Sequence, residues 1–191
     1  MHVQRNIKFG QGLFYDAPKY LSIVSSHSFW EVFSLGHFPI HPIFMGIFWL
    51  TNKFLPVNVT AMLFGVISVL LVNKISKLIF KKDGRFLPAI IFALFPGVWL
   101  INTNLMVESV AQTFFLFSIY LFLLKKPFGF LLSVFLLIGV HLESVFWIPA
   151  IFLFPAIFNL SFGKKDYLKF GKKAVVALLA AILFYFLLYL S

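Results

Sequence analysis

The sequence predicts an all-α fold: a polytopic transmembrane helix bundle of about six spanning helices plus one interfacial or re-entrant helix. Two observations carry this. Charged residues make up 12% of the chain and hydrophobic residues 61%, whereas soluble domains carry about 25% charge. Sixteen lysines and arginines also fall in short clusters between long apolar runs, the pattern of loops on the inner side of a membrane.

The clusters set the spans. Lys74, Lys77, Lys81, Lys82 and Arg85 form the first, Lys125 and Lys126 the second, and Lys164, Lys165, Lys169, Lys172 and Lys173 the third. With each facing the cytoplasm, Val57 to about Asn73 spans inward, its lysines snorkelling at the inner end. Phe86 to about Leu100 runs outward, with Pro88 in its first turn and a kink at Pro96. Glu108–Leu124 returns, Phe128–Val140 runs outward, and Val145–Leu160 returns, broken by Pro149 and Pro155. Ala174–Leu190 runs outward. The apolar run from Pro42 to Leu55 cannot also cross if Val57 starts outside. Flanked by Pro39 and Pro56, it reads as an interfacial or re-entrant helix of the outer leaflet. Residues 1–191 are thus expected to form a single transmembrane domain. Its parts are an extracytoplasmic segment (1–38), an interfacial helix (39–56) and the spanning helices (57–191). Arg5, Lys8, Lys19 and Lys53 fall outside on this reading and the other basic residues inside.

The net charge of +10 does not indicate nucleic-acid binding, because no basic face or base-reading module accompanies it. Cysteine is absent, which excludes disulfides and thiolate metal sites. Residues 1–20 lack the pattern of a cleavable signal peptide, and no internal repeat is visible.

The same topology gathers the uncommon polar residues at the outer face: Asp16, His41, Glu108, His141 and Glu143. Asp83 and Asp166 lie among lysines as solvated surface charges. Each outer residue also has a structural reading. Asp16, in Tyr15-Asp16-Ala17-Pro18, can start a helix by accepting from backbone N–H groups. Glu108 can complement a helix dipole. His41 and His141 can be satisfied loop histidines, and Glu143 an interface residue. His37 and His41 have helical spacing, but Pro39 and Pro42 oppose a regular helix, so a divalent metal site is weakly supported and no cofactor is expected. Asn102 and Asn104 flank an outer turn, as caps or sugar contacts.

The order of these features resembles the GT-C glycosyltransferases, nearest to the protein O-mannosyltransferase-like and aminoarabinose-transferase-like branch. Tyr15-Asp16-Ala17-Pro18-Lys19-Tyr20 resembles the first outer loop. Gly36-His37-Phe38-Pro39-Ile40-His41-Pro42 resembles the basic-residue-proline motif that opens a juxtamembrane helix. Phe95-Pro96-Gly97-Val98-Trp99 and Asn104-Leu105-Met106-Val107-Glu108-Ser109 resemble an outer hairpin ending in an acid. Leu137-Ile138-Gly139-Val140-His141-Leu142-Glu143 resembles the next span and its tip. The resemblance covers most of residues 12–160. It implies Asp16 as catalytic base, Glu108 as the acid shaping the site, and His41 at the donor phosphate. His37, Tyr20, Asn104, His141 and Glu143 complete the expected substrate contacts. Ala17 stands where the family often has a second acid, and the chain looks like the front half of such an enzyme.

The expected function is inverting sugar transfer from a polyprenyl- or dolichyl-phosphate donor to a hydroxyl acceptor. The protein would sit in the membrane (the plasma membrane in a prokaryote) with its site on the extracytoplasmic face. Its partners would be the lipid-phosphate-linked sugar, membrane lipid and the acceptor, with no nucleic acid. A non-catalytic scaffold that binds lipid carriers and a transporter or permease fragment are the alternatives. A transporter would place its acids near mid-membrane.

Overall fold

A computed structural model describes residues 22, 28, 41–80, 86–103 and 107–190. Asp16, Tyr20, Glu31, His37, Asp83 and Asn104 lie outside these residues, as does the expected 1–38 segment apart from Ser22 and Ser28. From His41 onward the described chain is helical, with short turns between elements. Helix α1 is Pro42–Thr51, α2 Val57–Ile79, α3 Leu87–Leu94, α4 Pro96–Thr103, α5 Val107–Leu123 and α6 Pro127–Val140. A 3-10 turn, Leu142–Trp147, leads into α7, Ile148–Ile157, and α8 is Lys164–Leu190.

Proline opens many of these helices. Pro42, Pro88, Pro127 and Pro149 occupy the first or second helical position, where a missing N–H costs nothing and the fixed φ suits the helix. Lys125 closes α5 in the left-handed region, at φ 56. Its N–H reaches Phe122 O and that of Lys126 reaches Leu121 O, each at 3.0 Å, which is the paired bonding of a Schellman end.

Among the described residues, two single helices are long and apolar enough to cross a membrane, Val59–Ile79 and Lys164–Leu188. A third qualifies if α4 and α5, bent by 114°, count as one broken span. The other expected spans take different forms. Phe86–Leu100 divides at Phe95, whose ψ of 122 is extended, into α3 and the start of α4. The expected kink at Pro96 is therefore a full break, bridged by Trp99 Nε1 donating to Ala93 O at 2.9 Å. Val145–Leu160 becomes the 3-10 turn plus the 10-residue α7, with Pro155 tolerated inside the helix. The last helix starts ten residues before the expected Ala174. Phe170 is buried there while Lys164, Lys165 and Lys172 point outward, so the lysine-rich stretch is an amphipathic extension, not a loop.

Much of the surface is hydrocarbon. Leu63, Val66, Ile67 and Leu70 on α2 are exposed, as are Val175, Val176, Leu179, Ile182, Leu183, Phe186 and Leu187 on α8. Continuous apolar faces of this kind suit lipid and would drive association in water.

Inside, small and hydroxylated residues bring the helices together, as expected where lipid supplies no hydrophobic drive between them. Ala174, Ala177 and Ala181 form a buried stripe on α8 in the same core as Val134 and Ile138 of α6. Ser68 on α2 lies 2.8 Å from Thr113 on α5, and Ser118 on α5 lies 2.9 Å from Ser133 on α6. Thr113→Val keeps the shape but leaves Ser68 without this partner. It is expected to cost about 0.5–2 kcal/mol, read as a lower thermal midpoint in detergent.

The bundle has two chemically distinct ends. At one, Phe80 after α2 meets Phe158 after α7 at 6.3 Å between ring centroids, and Lys77 covers the Phe86 ring. Lys125 pairs there with Asp166 at 2.8 Å, so Asp166 is a paired surface charge. The other end holds the starts of α1 and α5, the end of α6 and Tyr185 of α8, drawn together by the contacts described next.

Candidate functional site

The candidate site is built where α1 begins and α6 ends. His41 caps the start of α1, its backbone carbonyl accepting from Met45 N at 2.9 Å. Its ring turns toward α6, where Nδ1 lies 3.0 Å from Val140 O. A carbonyl only accepts, so Nδ1 carries the proton, and the neutral ring has its acceptor lone pair on Nε2.

His141 is the residue after α6, on extended backbone (φ −149, ψ 104). That turn out of the helix lays its ring parallel to His41, at 5.2 Å between centroids and 4° between planes. Trp147 lies 5.9 Å from His141 with its ring tilted by 31°, and Phe44 meets His41 edge-on at 6.3 Å. The Nδ1 atom of His141 is buried and has no hydrogen-bond partner among the described residues. The pair thus forms an aromatic-walled cluster with one nitrogen position fixed by the backbone and one unfilled.

Helix α5 begins at the same end. Val107, Val110 and Ala111 share a core with Phe44, Met45 and Phe48 of α1 and with Leu137 and Val140 of α6. Glu108, half-buried in the first turn of α5, therefore lies at the histidine end of the α5–α6 hairpin, where its charge also complements the helix dipole. Glu143 is exposed on the 3-10 turn, two residues past His141. Of the expected site residues, His41 and His141 are in direct ring contact, and Glu108 and Glu143 flank that end. Asp16, Tyr20, His37 and Asn104 are outside the described residues. Asn102 stands next to the last residue of α4. It lies buried within α4 with Nδ2 donating to Val98 O at 2.7 Å. Among the described residues no group of three or more His, Cys, Asp or Glu is placed to hold a metal.

The end of α6 is held by groups that sequence reasoning missed. A helix leaves its last four carbonyls without intrahelical partners. Here Leu137 O accepts from His141 N at 3.0 Å and from Ser144 Oγ at 3.1 Å. Ile138 O accepts from Tyr185 OH at 3.1 Å, with Gly139 O at 3.4 Å. Val140 O takes the His41 ring. The signal in sequence is only an isolated hydroxyl within an apolar run, which does not name its partner. His41→Phe retains an aromatic ring but loses the bond to Val140 O. It is expected to lower stability by about 1 kcal/mol, as a fall in thermal midpoint that His41→Ala exceeds.

Comparison with family models, with curated proteins and with solved structures finds no match for this chain.

Proposed function

We propose that the chain is an integral membrane protein that transfers a sugar from a polyprenyl-phosphate-linked donor to a hydroxyl acceptor, inverting the anomeric centre. The observation that carries this reading is the His41–His141 stack. It joins residues from stretches a hundred positions apart at the bundle end away from the paired Lys125 and Asp166. Short helices fit as broken crossings: α3 with α4, and the 3-10 turn with α7. With α2, α5, α6 and α8 they make six, and the lysine end faces the cytoplasm. The site then lies on the extracytoplasmic face, of the plasma membrane in a prokaryote, with α1 as the interfacial helix.

The chemistry needs little acid catalysis. The bond from the anomeric carbon to the phosphate oxygen breaks, and the lipid phosphate leaves with the electron pair as a stabilised anion. The acceptor oxygen forms the new bond from the opposite face, and its proton passes to the Asp16 carboxylate. His41, with Nδ1 tied to the backbone, presents Nε2 as the donor to the phosphate when protonated, offsetting its charge. Glu108 shapes the acceptor side, with His141 and Glu143 at the rim. His37, Tyr20 and Asn104 are further substrate contacts on this reading. No metal is required.

The full-length protein in liposomes, supplied with polyprenyl-phosphate hexoses and pentoses, should give a product of inverted anomeric configuration by NMR. Donor binding without turnover would overturn the enzyme in favour of a lipid-carrier-binding scaffold. Net movement of solute across the liposome would favour a transporter.

A further inference from the structure

A groove runs along the outer face of α2, away from the histidine cluster. Met62, Gly65, Val66, Val69 and Leu70 of α2 line it, with Ala93 of α3 and Val98, Trp99 and Asn102 of α4 opposite. Its volume is about 470 Å³, within the range of sites that hold small molecules. The break at Phe95 splays α3 from α4 and opens it. Gly65 makes the close approach possible, since a Cβ there would stand 2.8 Å from Asn102 Cβ.

The lining is apolar, and the stripe leads somewhere. Residues 66, 70, 73 and 77 follow one another at helical spacing, so the groove face continues to Lys77, with Lys74 beside it. Both lysines are exposed. They lie over rings, Lys74 on Tyr120 and Lys77 on Phe86, and the ion pair found among the described residues involves neither. Lys81, Lys82 and Arg85 follow in the sequence. At 1.5 Å per residue, Leu70 is about 10 Å from Lys77 along the axis and Met62 about 22 Å. A hydrocarbon leaflet is about 15 Å thick. A chain anchored at Lys77 therefore passes Leu70 and Val69 within its own leaflet and ends close to Val66, about 16 Å along the axis.

We propose that this groove seats one acyl chain of an anionic phospholipid from the lysine-side leaflet, with its phosphate held by Lys77 and Lys74. The fit is one of complementarity: an apolar slot continuous with cations that have no carboxylate among the described residues. The inference rests on the membrane placement proposed above, not on sugar transfer.

The test is native mass spectrometry of the full-length protein from nanodiscs of equal phosphatidylglycerol and phosphatidylcholine. Wild type should retain one phosphatidylglycerol in preference. Lys74→Gln and Lys77→Gln should each reduce that preference by about fivefold. Val66→Trp and Leu70→Trp, at exposed positions, should fill the slot and reduce retention of the lipid while leaving the thermal midpoint unchanged. Equal retention of the two lipids by wild type, or full retention by the tryptophan variants, overturns the proposal. Extraction at alkaline pH is the parallel control: a protein that stays in the membrane but shows no lipid preference sinks this inference alone. A protein that leaves the membrane sinks the membrane placement as well. Loss of sugar transfer would leave the lipid result standing.

Discussion

Asp16→Asn is expected to reduce sugar transfer by about 10²–10⁴-fold, the usual contribution of a positioned general base, with folding unchanged. The amide has the shape of the carboxylate but cannot take the acceptor proton. On the proposed reaction the donor would bring a good leaving group, so proton removal from the acceptor would be the step that most needs a side chain. Donor binding should survive, because the phosphate contact is assigned to His41. The informative measurement is therefore a split: turnover lost, donor affinity kept. Turnover near the wild-type rate would remove Asp16 as the base. Loss of turnover and binding together would make it a structural residue of the first segment.

Gly139→Leu should detach α1 from α6. A Cβ at Gly139 would overlap Ile43 Cδ1 and stand 2.8 Å from Ile43 Cγ1, and a full leucine has no space beside Ile43. Overpacking of this kind costs about 1–3 kcal/mol, more than the helix propensity of about 1 kcal/mol gained on replacing glycine. The displacement falls on the first turn of α1, so the His41 bond to Val140 O and the stack on His141 should be lost together. ¹⁵N NMR of histidine-labelled protein reads this directly, as disappearance of a hydrogen-bonded Nδ1–H. Gly171→Ala on α8 is the matched control. No atom lies within 4 Å of a Cβ there, so propensity alone should act and the thermal midpoint should rise. Persistence of the His41 signal in Gly139→Leu would show that close approach of α1 and α6 does not position the ring.

Local features were the most legible. Pro42, Pro88 and Pro127 open helices, where a missing N–H costs nothing, and Pro96 follows an extended Phe95 at a break, whereas Pro155 is carried inside α7. The grouping of His41, Glu108 and His141 at one end follows from counting helices between lysine clusters. What counting cannot supply is contact. The ring stack depends on His141 leaving the helix on extended backbone, which no residue type demands. Lys164–Lys173 reads as a loop because lysine dominates it, yet Phe170 anchors it to the core and the helix runs without a break from Lys164 to Leu190. Ser68, Thr113, Ser118 and Ser133 carry no periodicity of their own, so their pairings across helices emerge only in three dimensions.

Three side-chain donors to the terminal carbonyls of α6, at residues 41, 144 and 185, come from separate stretches of the chain. The first is synthesised before α6 and the second immediately after it. The third follows Ile138 by 47 residues. Until then Ile138 O has neither a helix partner nor a hydroxyl. The end of α6 is therefore completed only when α8 docks, and a chain halted before Tyr185 should be a preferred substrate for membrane proteases.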